Sequence, residues 1–140
     1  EQGTKYNGSG CLIHGLSVAT DSIVAVKHFL AEEPGGFETL LAALRSDFAG
    51  AQLLRARLLG YPKYGATRQE PDETAVRVAA RICEKVSALR TPSGAPFMPD
   101  FSTPSTHLLY GCWVGATPDG RNARTMLGYG IDPRRRSPRS

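Results

Sequence analysis

Clustered cysteines, metal-ligand spacings and long apolar runs are all scarce in this 140-residue chain. Its three cysteines, Cys11, Cys83 and Cys112, are odd in number and far apart. None sits in a C-x-x-C pair or a Cys/His cluster. A zinc site is therefore not expected, and a reducing, cytoplasmic compartment is the simplest setting. No apolar stretch reaches the roughly 18 residues that span a bilayer. Residues Glu1 to Lys5 lack a basic start followed by an apolar run, so no secretory signal is expected there. They also lack Met, as a chain beginning inside a longer reading frame or after processing would.

What is present is ordinary for a globular protein. Apolar residues make up 41% and charged residues 21%, which argues against a disordered, collagen-like or disulfide-stapled chain. The length suits one domain at most. The net charge of +4 is unevenly placed. The first 120 residues carry 11 Lys/Arg and 12 Asp/Glu, whereas residues 121–140 carry six Arg and one Asp. The run Arg134-Arg135-Arg136-Ser137-Pro138-Arg139-Ser140 has almost no apolar content and reads as a solvated tail. Nonspecific phosphate binding is its alternative role.

Glycines crowd residues 6–15, but no Lys-Ser/Thr follows at P-loop spacing, so a connection between elements is the expectation. A helix follows over about Leu16–Glu32, with the stripe Leu16, Ala19, Ile23, Val26 and Leu30. Asp21 reads as a favourable dipole partner or local ion pair, and His28, off the stripe, as a surface residue. Cys83 reads as a small core residue of a later helix. Pro34-Gly35-Gly36 breaks the first helix. A second helix spans about Phe37–Asp47, with Phe37, Leu40, Leu41, Leu44 and Phe48 inward. A third, carrying Leu53, Leu54 and Leu58, ends at Gly60 and Pro62. Pro71-Asp72-Glu73 opens a fourth helix reaching about Arg90, with Asp72 as its N-cap and Ala75, Ala79, Ile82, Val86 and Leu89 as its stripe. Arg77 and Arg81 lie on its exposed face, meeting acidic groups or water. His107–Val114, rich in Leu, Tyr, Trp and Val, reads as the one strong strand. A lone strand leaves its backbone groups unpaired. Either further strands lie in residues 5–14 and 95–105, or the partners belong to another stretch of polypeptide.

Several segments are also spelled in a familiar way. Lys5-Tyr6-Asn7, Gly15-Leu16 with Asp21-Ser22-Ile23-Val24-Ala25-Val26-Lys27, Leu40 to Gly50, Pro62-Lys63-Tyr64-Gly65 and Gly115-Ala116-Thr117-Pro118-Asp119-Gly120-Arg121 occur in one order. In that order and spacing the chain resembles the glycyl radical enzymes, the superfamily of pyruvate formate-lyase, choline trimethylamine-lyase and diol dehydratases. The likeness runs over residues 3–133 and is nearest to the lyase/dehydratase branch. It implies an α/β fold: a helix-rich part of a barrel, with about four helices and one or more strands. Residues 1–133 would be part of the barrel domain and 134–140 a basic tail.

In such enzymes a cysteine loop and a glycine loop meet inside the barrel. The stored glycyl radical passes to the cysteine, which abstracts hydrogen from the substrate. The resemblance places this chain between the two loops. None of its cysteines is followed two residues on by Glu, so no catalytic residue is assigned. Arg124-Thr125-Met126-Leu127-Gly128-Tyr129-Gly130 imitates the radical loop, but its arginine is misplaced by one residue, and Gly128 is read as a decoy. The complete family enzyme would need a glycyl radical installed by an S-adenosylmethionine iron–sulfur activase. This segment is expected to bind no cofactor or metal itself. Its expected partners are the remainder of the enzyme chain and that activase, with no membrane and no nucleic acid.

Two sets of residues remain as candidates. Ser102, Thr103, Ser105 and His107 form a hydroxyl-rich run entering a strand, which would put polar side chains at a strand mouth, where barrel enzymes bind ligands; satisfaction of loop backbone by Ser and Thr is the competing reading. Pro118, Asp119, Gly120 and Arg121 form a turn in which Arg121 either holds a carboxylate or pins backbone carbonyls. Two functions follow. One is an incomplete part of a glycyl radical lyase, dehydratase or formate acetyltransferase-like enzyme, inactive alone. The other is a small interaction protein whose tail binds nucleic acid or an acidic partner.

Overall fold

The computed structural model describes residues 9–66, 69–101 and 107–128. Strand β1 (Ser9–Leu12) leads into helix α1 (Leu16–Glu32), followed by α2 (Phe37–Arg45), α3 (Gln52–Gly60), α4 (Gln69–Ala88), strand β2 (Phe97–Asp100) and α5 (His107–Trp113). The strands pair in parallel, Ser9 opposite Phe97 and Leu12 opposite Asp100. Ile13 extends the ladder, its N–H donating to Asp100 O at 2.8 Å. The strands thus lie in both glycine- and proline-rich stretches where unseen strands were one option.

The strand expected over His107–Val114 is a helix instead. Leu, Tyr and Trp favour strands only where a pleated surface receives them. Here Gly111 faces the chain beyond the turn, and a Cβ there would stand 2.4 Å from Thr125 O. The missing side chain lets α5 lie against Thr125–Leu127, a contact that serves a helix as readily as a strand.

Helix α1 also departs from its apolar stripe. Leu16 is buried as expected, but Ala19 and Ile23 are exposed, while Ser17, Val18, Thr20, Asp21, Val24, Ala25 and Phe29 are buried. Small and polar side chains carry this face because α1 packs closely against its neighbours, α4 among them. In α2, Leu40 and Ala43 are buried and Phe37 is exposed. Helix α4 starts before Pro71, which occupies its first turn, where no N–H is needed. Asp72 is therefore not the N-cap; it accepts the Gly65 N–H at 2.9 Å. Ala75 is buried, Ala79, Ile82, Cys83 and Val86 are half-buried, and Leu89 is exposed. Arg77 and Arg81 meet Glu73 and Glu84.

The core comprises Ala25, Phe29, Leu40, Ala43, Phe48, Leu58 and Tyr61, at the junction of α1, α2 and α3. Full burial of a large apolar side chain such as Phe29 contributes about 1.5–3 kcal/mol. Between α2 and α3 the chain reverses through Asp47 (φ 51°) and Phe48 (φ 63°). Each left-handed non-glycine residue costs about 1–2 kcal/mol. Burial of the Phe48 ring and two hydrogen bonds to the Asp47 carboxylate offset that cost.

Candidate functional site

The turn at 115–121 is built from its own residues first. Thr117 N–H donates to Arg121 O and Gly120 N–H to Thr117 O, both at 3.0 Å. Pro118 presets φ, and Gly120 adopts φ 90°, which suits glycine. The Asp119 carboxylate accepts from the Thr117 hydroxyl and from the Arg121 N–H.

Arg121 then turns inward and is the largest fully buried side chain among the described residues. Its Nη1 donates to Thr125 O at 2.7 Å, its Nη2 to Val114 O at 3.3 Å and to Gly115 O, and its Nε to Thr117 Oγ1 at 3.2 Å. A buried cation is tolerable only when its donors are occupied, and the planar fork of arginine fits several carbonyls at once. Arg121 therefore ties the end of α5 to the far side of the turn.

Three other elements grip the same turn from outside. Arg55 of α3 donates to Gly120 O at 3.0 Å. Lys63 donates to Asp119 O at 3.1 Å and to Leu58 O at 2.9 Å. Asp47 accepts the Ala123 N–H at 2.7 Å and the Asn122 amide at 3.1 Å. The Ala123 N–H, then the Asn122 amide, hold its carboxyl below the usual carboxylate range. Asp21, buried in α1, accepts the Tyr64 N–H at 2.7 Å. Asp21 thus anchors the Pro62–Gly65 turn to α1. One polar hub unites the segments around residues 21, 47, 63 and 119. From the sequence Asp21 reads only as a dipole partner or local ion pair, and Asp47, Arg55 and Lys63 carry no assigned role. An aspartate among buried small residues was the one available signal for Asp21. Enrichment of Asp in left-handed backbone was the signal for Asp47.

A second network lies on the surface. Arg57 of α3 binds Glu32 and Glu33 at the end of α1, and Tyr61 donates to Glu32 at 2.8 Å. The bond from Arg57, then that from Tyr61, lowers the Glu32 pKa. Burial, then the bond to Glu32, raises that of Tyr61. His28 is half-buried, not a free surface residue: it bonds Glu70 at 2.8 Å and stacks on Tyr61. Lys27, then His28, lowers the Glu70 pKa.

The exits of the two parallel strands lie side by side. After β1 comes His14, whose ring meets Tyr110 of α5 at 5.2 Å between centroids. After β2 comes Phe101, then the hydroxyl-rich run. Ser102, Thr103 and Ser105 lie outside the described residues, as does the tail 134–140. His107 opens α5, and its side chain is likewise not described. Gly128 is buried, next to the buried Leu127. Among the described residues no group of three His, Cys, Asp or Glu side chains is placed to hold a metal ion, and no helix is long and apolar enough to cross a membrane.

A parallel strand pair with α4 against it, and a buried arginine clasp following α5, define a helix-rich section of an α/β fold. The chain belongs to the pyruvate formate lyase-like family, whose model matches residues 1–111. It is 31% identical over 128 residues to the PFL-like enzyme TdcE of Escherichia coli, covering 91% of this chain and 15% of that protein. It is 33% identical over 141 residues to the probable dehydratase YbiW of the same organism, covering 94% of this chain and 17% of that protein. Among solved structures, the glycerol-bound B12-independent glycerol dehydratase of Clostridium butyricum superposes with a TM-score of 0.83 at 32% identity, again over 94% of this chain and 17% of that one. A glycyl radical enzyme of Archaeoglobus fulgidus superposes with the same score at 28% identity. The chain thus spans about a sixth of the length of the relatives it matches.

Proposed function

We propose that this chain is a wall section of a glycyl radical enzyme, of the lyase or dehydratase kind that acts on a small organic substrate by radical C–H abstraction. Formate acetyltransferase-like chemistry is the alternative within the family. One observation carries the reading: the sheet has a single covered face. Ser9, Cys11, Phe97 and Pro99 are half-buried, with α4 against β2, while Leu12 and Met98 on the opposite face are 58% and 65% exposed. Parallel sheets are stable when covered on both faces and continued at their edges. Leu108, Leu109 and Trp113 on α5 are exposed as well.

In this reading residues 1–133 belong to one barrel domain, and 134–140 form a basic tail. Ser102, Thr103, Ser105 and His107, in the hydroxyl-rich run that follows β2 in the sequence, are the residues this reading assigns to substrate binding. The hydrogen-abstracting cysteine and the radical glycine come from the remainder of the polypeptide, and Gly128 is not the radical site. The radical is installed by an S-adenosylmethionine iron–sulfur activase under anaerobic conditions. A reducing cytoplasm is supported by three free thiols.

Electron paramagnetic resonance tests this. The complete reading frame that carries this chain, activated without oxygen, should give a glycine-centred doublet that survives Gly128→Ala. The 140-residue chain alone should give none. A doublet from the chain alone, removed by Gly128→Ala, would overturn the assignment.

A further inference from the structure

Helix α3 holds two charged residues, Arg55 and Arg57, and both are engaged with this chain's own groups. Arg55 is half-buried and donates to Gly120 O at 3.0 Å. Arg57 binds Glu32 and Glu33 and lies over the Phe29 ring, 5.3 Å from its centroid. Leu58 is fully buried. The residues left outward are Gln52, Leu53, Ala56, Leu59 and Gly60. At helical spacing these five fall within about a third of the circumference. Leu53 is 89% exposed, and a Cβ on Gly60 would meet nothing within 4 Å.

A lone exposed leucine is ordinary, but a surface helix normally sets charged side chains on the face away from its core. Helix α4 does so: Glu73 pairs with Arg77, and Arg81 with Glu84, on exposed side chains. Helix α3 instead presents water with apolar and small residues and one neutral amide. Leu53, Ala56 and Gly60 stand three and four residues apart, so they are neighbours along one line of the helix. The small pair Ala56 and Gly60 leaves a groove on the i, i+4 row, the kind of groove that receives a ridge of side chains from another helix.

We propose that this outer face of α3 is covered by a helix of the same polypeptide, lying outside these 140 residues. The inference rests on the reading of the chain as a wall section. The matched stretch is 15% and 17% of the length of two relatives, so most of such a polypeptide is available to supply the helix. A second copy of the chain fits less well. The strip is about 13 Å long and about 10 Å across, a small part of the roughly 800 Å² per partner that a stable pair buries. Beside it the Arg57–Glu32–Glu33 network is charged and solvated, so the apolar surface does not continue that way. A helix tethered in the same polypeptide needs no such area, because its effective concentration is high.

The test uses the complete polypeptide that carries this chain. Ala56→Cys is alkylated with N-ethylmaleimide and followed by peptide mass spectrometry, which separates it from Cys11, Cys83 and Cys112. It should react on the order of 100-fold more slowly than in the same protein unfolded in guanidinium, because labelling then waits for local opening. The protection should persist when the protein is diluted about 100-fold, since an intrachain cover does not depend on concentration. Hydroxyl-radical footprinting of the unsubstituted polypeptide needs no variant to fold: Leu53 should be modified as slowly as the buried Leu58. Labelling of Ala56→Cys at the unfolded rate, or modification of Leu53 well ahead of Leu58, would overturn the proposal. Protection lost on dilution would give the face to a second copy and overturn it too. A glycine-centred doublet from a polypeptide whose α3 is open would sink this inference alone; a covered α3 without a doublet would sink the wall-section reading of the chemistry and leave the cover standing.

Discussion

Replacing Arg121 by Met tests the hub most sharply. The substitution removes a buried guanidinium that donates to Thr125 O, Val114 O, Gly115 O and Thr117 Oγ1. Each charged hydrogen bond is worth about 1.5–3 kcal/mol, but the sum is not additive and the desolvation of the cation is recovered. Stripping one member from a buried charged network costs about 3–5 kcal/mol. At about 1.4 kcal/mol per decade, opening of the segment should become about two to three and a half orders of magnitude more frequent. Hydrogen exchange followed on peptides from 107–128 reads this directly, with peptides from the Phe29–Leu40 core as an internal control. Arg121→Lys keeps the charge but not the fork, and should fall between the two. Exchange of residues 107–128 in Arg121→Met within about three-fold of the parent, less than one ordinary hydrogen bond, would refute the clasp.

Three further outcomes follow from the same geometry. Gly120→Ala combines a φ of 90° with a Cβ 2.6 Å from Leu59 Cγ, and Gly111→Ala sets one 2.4 Å from Thr125 O. Each should lower stability by about 1–3 kcal/mol in a denaturant titration, while Gly115→Ala, with nothing within 4 Å, should be nearly silent. Glu32, Asp47 and Glu70 all have depressed pKa values in the fold. Their stabilisation is complete above the unfolded carboxylate pKa of about 4 and is lost as pH falls through the depressed values, so melting temperatures should drop on acidification and stay flat above about pH 6. The chain by itself should show strong helical circular dichroism together with uptake of a hydrophobic dye; a sharp melt without dye uptake would count against an uncovered sheet face.

The helices α1 to α4 were legible because each is bounded by a Gly or Pro break and carries enough apolar residues to mark a face. Their inward faces were less so. In α1 an apolar count favours Ile23, yet Thr20 and Asp21 are buried, because close packing selects small side chains and hydrogen-bond partners as well as apolar ones. His107–Trp113 was misread because a seven-residue apolar run has no decisive period, and what admits α5 is a glycine contact 14 residues further along the chain. The strands at Ser9–Leu12 and Phe97–Asp100, four residues each, could be offered only as regions. The turn at Thr117–Arg121 was plain from Pro, Asp and Gly. Its grip by Asp47, Arg55 and Lys63 was not, since nothing local to those residues points 56 to 76 positions downstream.

That separation bears on the order in which the molecule is assembled. The bonds from Lys63, Arg55 and Asp47 close loops of 56, 65 and 76 residues, and Arg121 itself needs the carbonyl of Thr125. During synthesis, α1, α2 and α3 with their core of Phe29, Leu40 and Leu58 can form from sequence already made. The left-handed backbone at Asp47 must then wait, its carboxylate without Asn122 and Ala123, until residues near 125 have emerged. Closing a long loop costs entropy before any contact repays it, so the hub is the late step. The turn acts as a latch that registers completion: until it is in place, the segment after α5 is not tied to α3 or to the loop that follows α2.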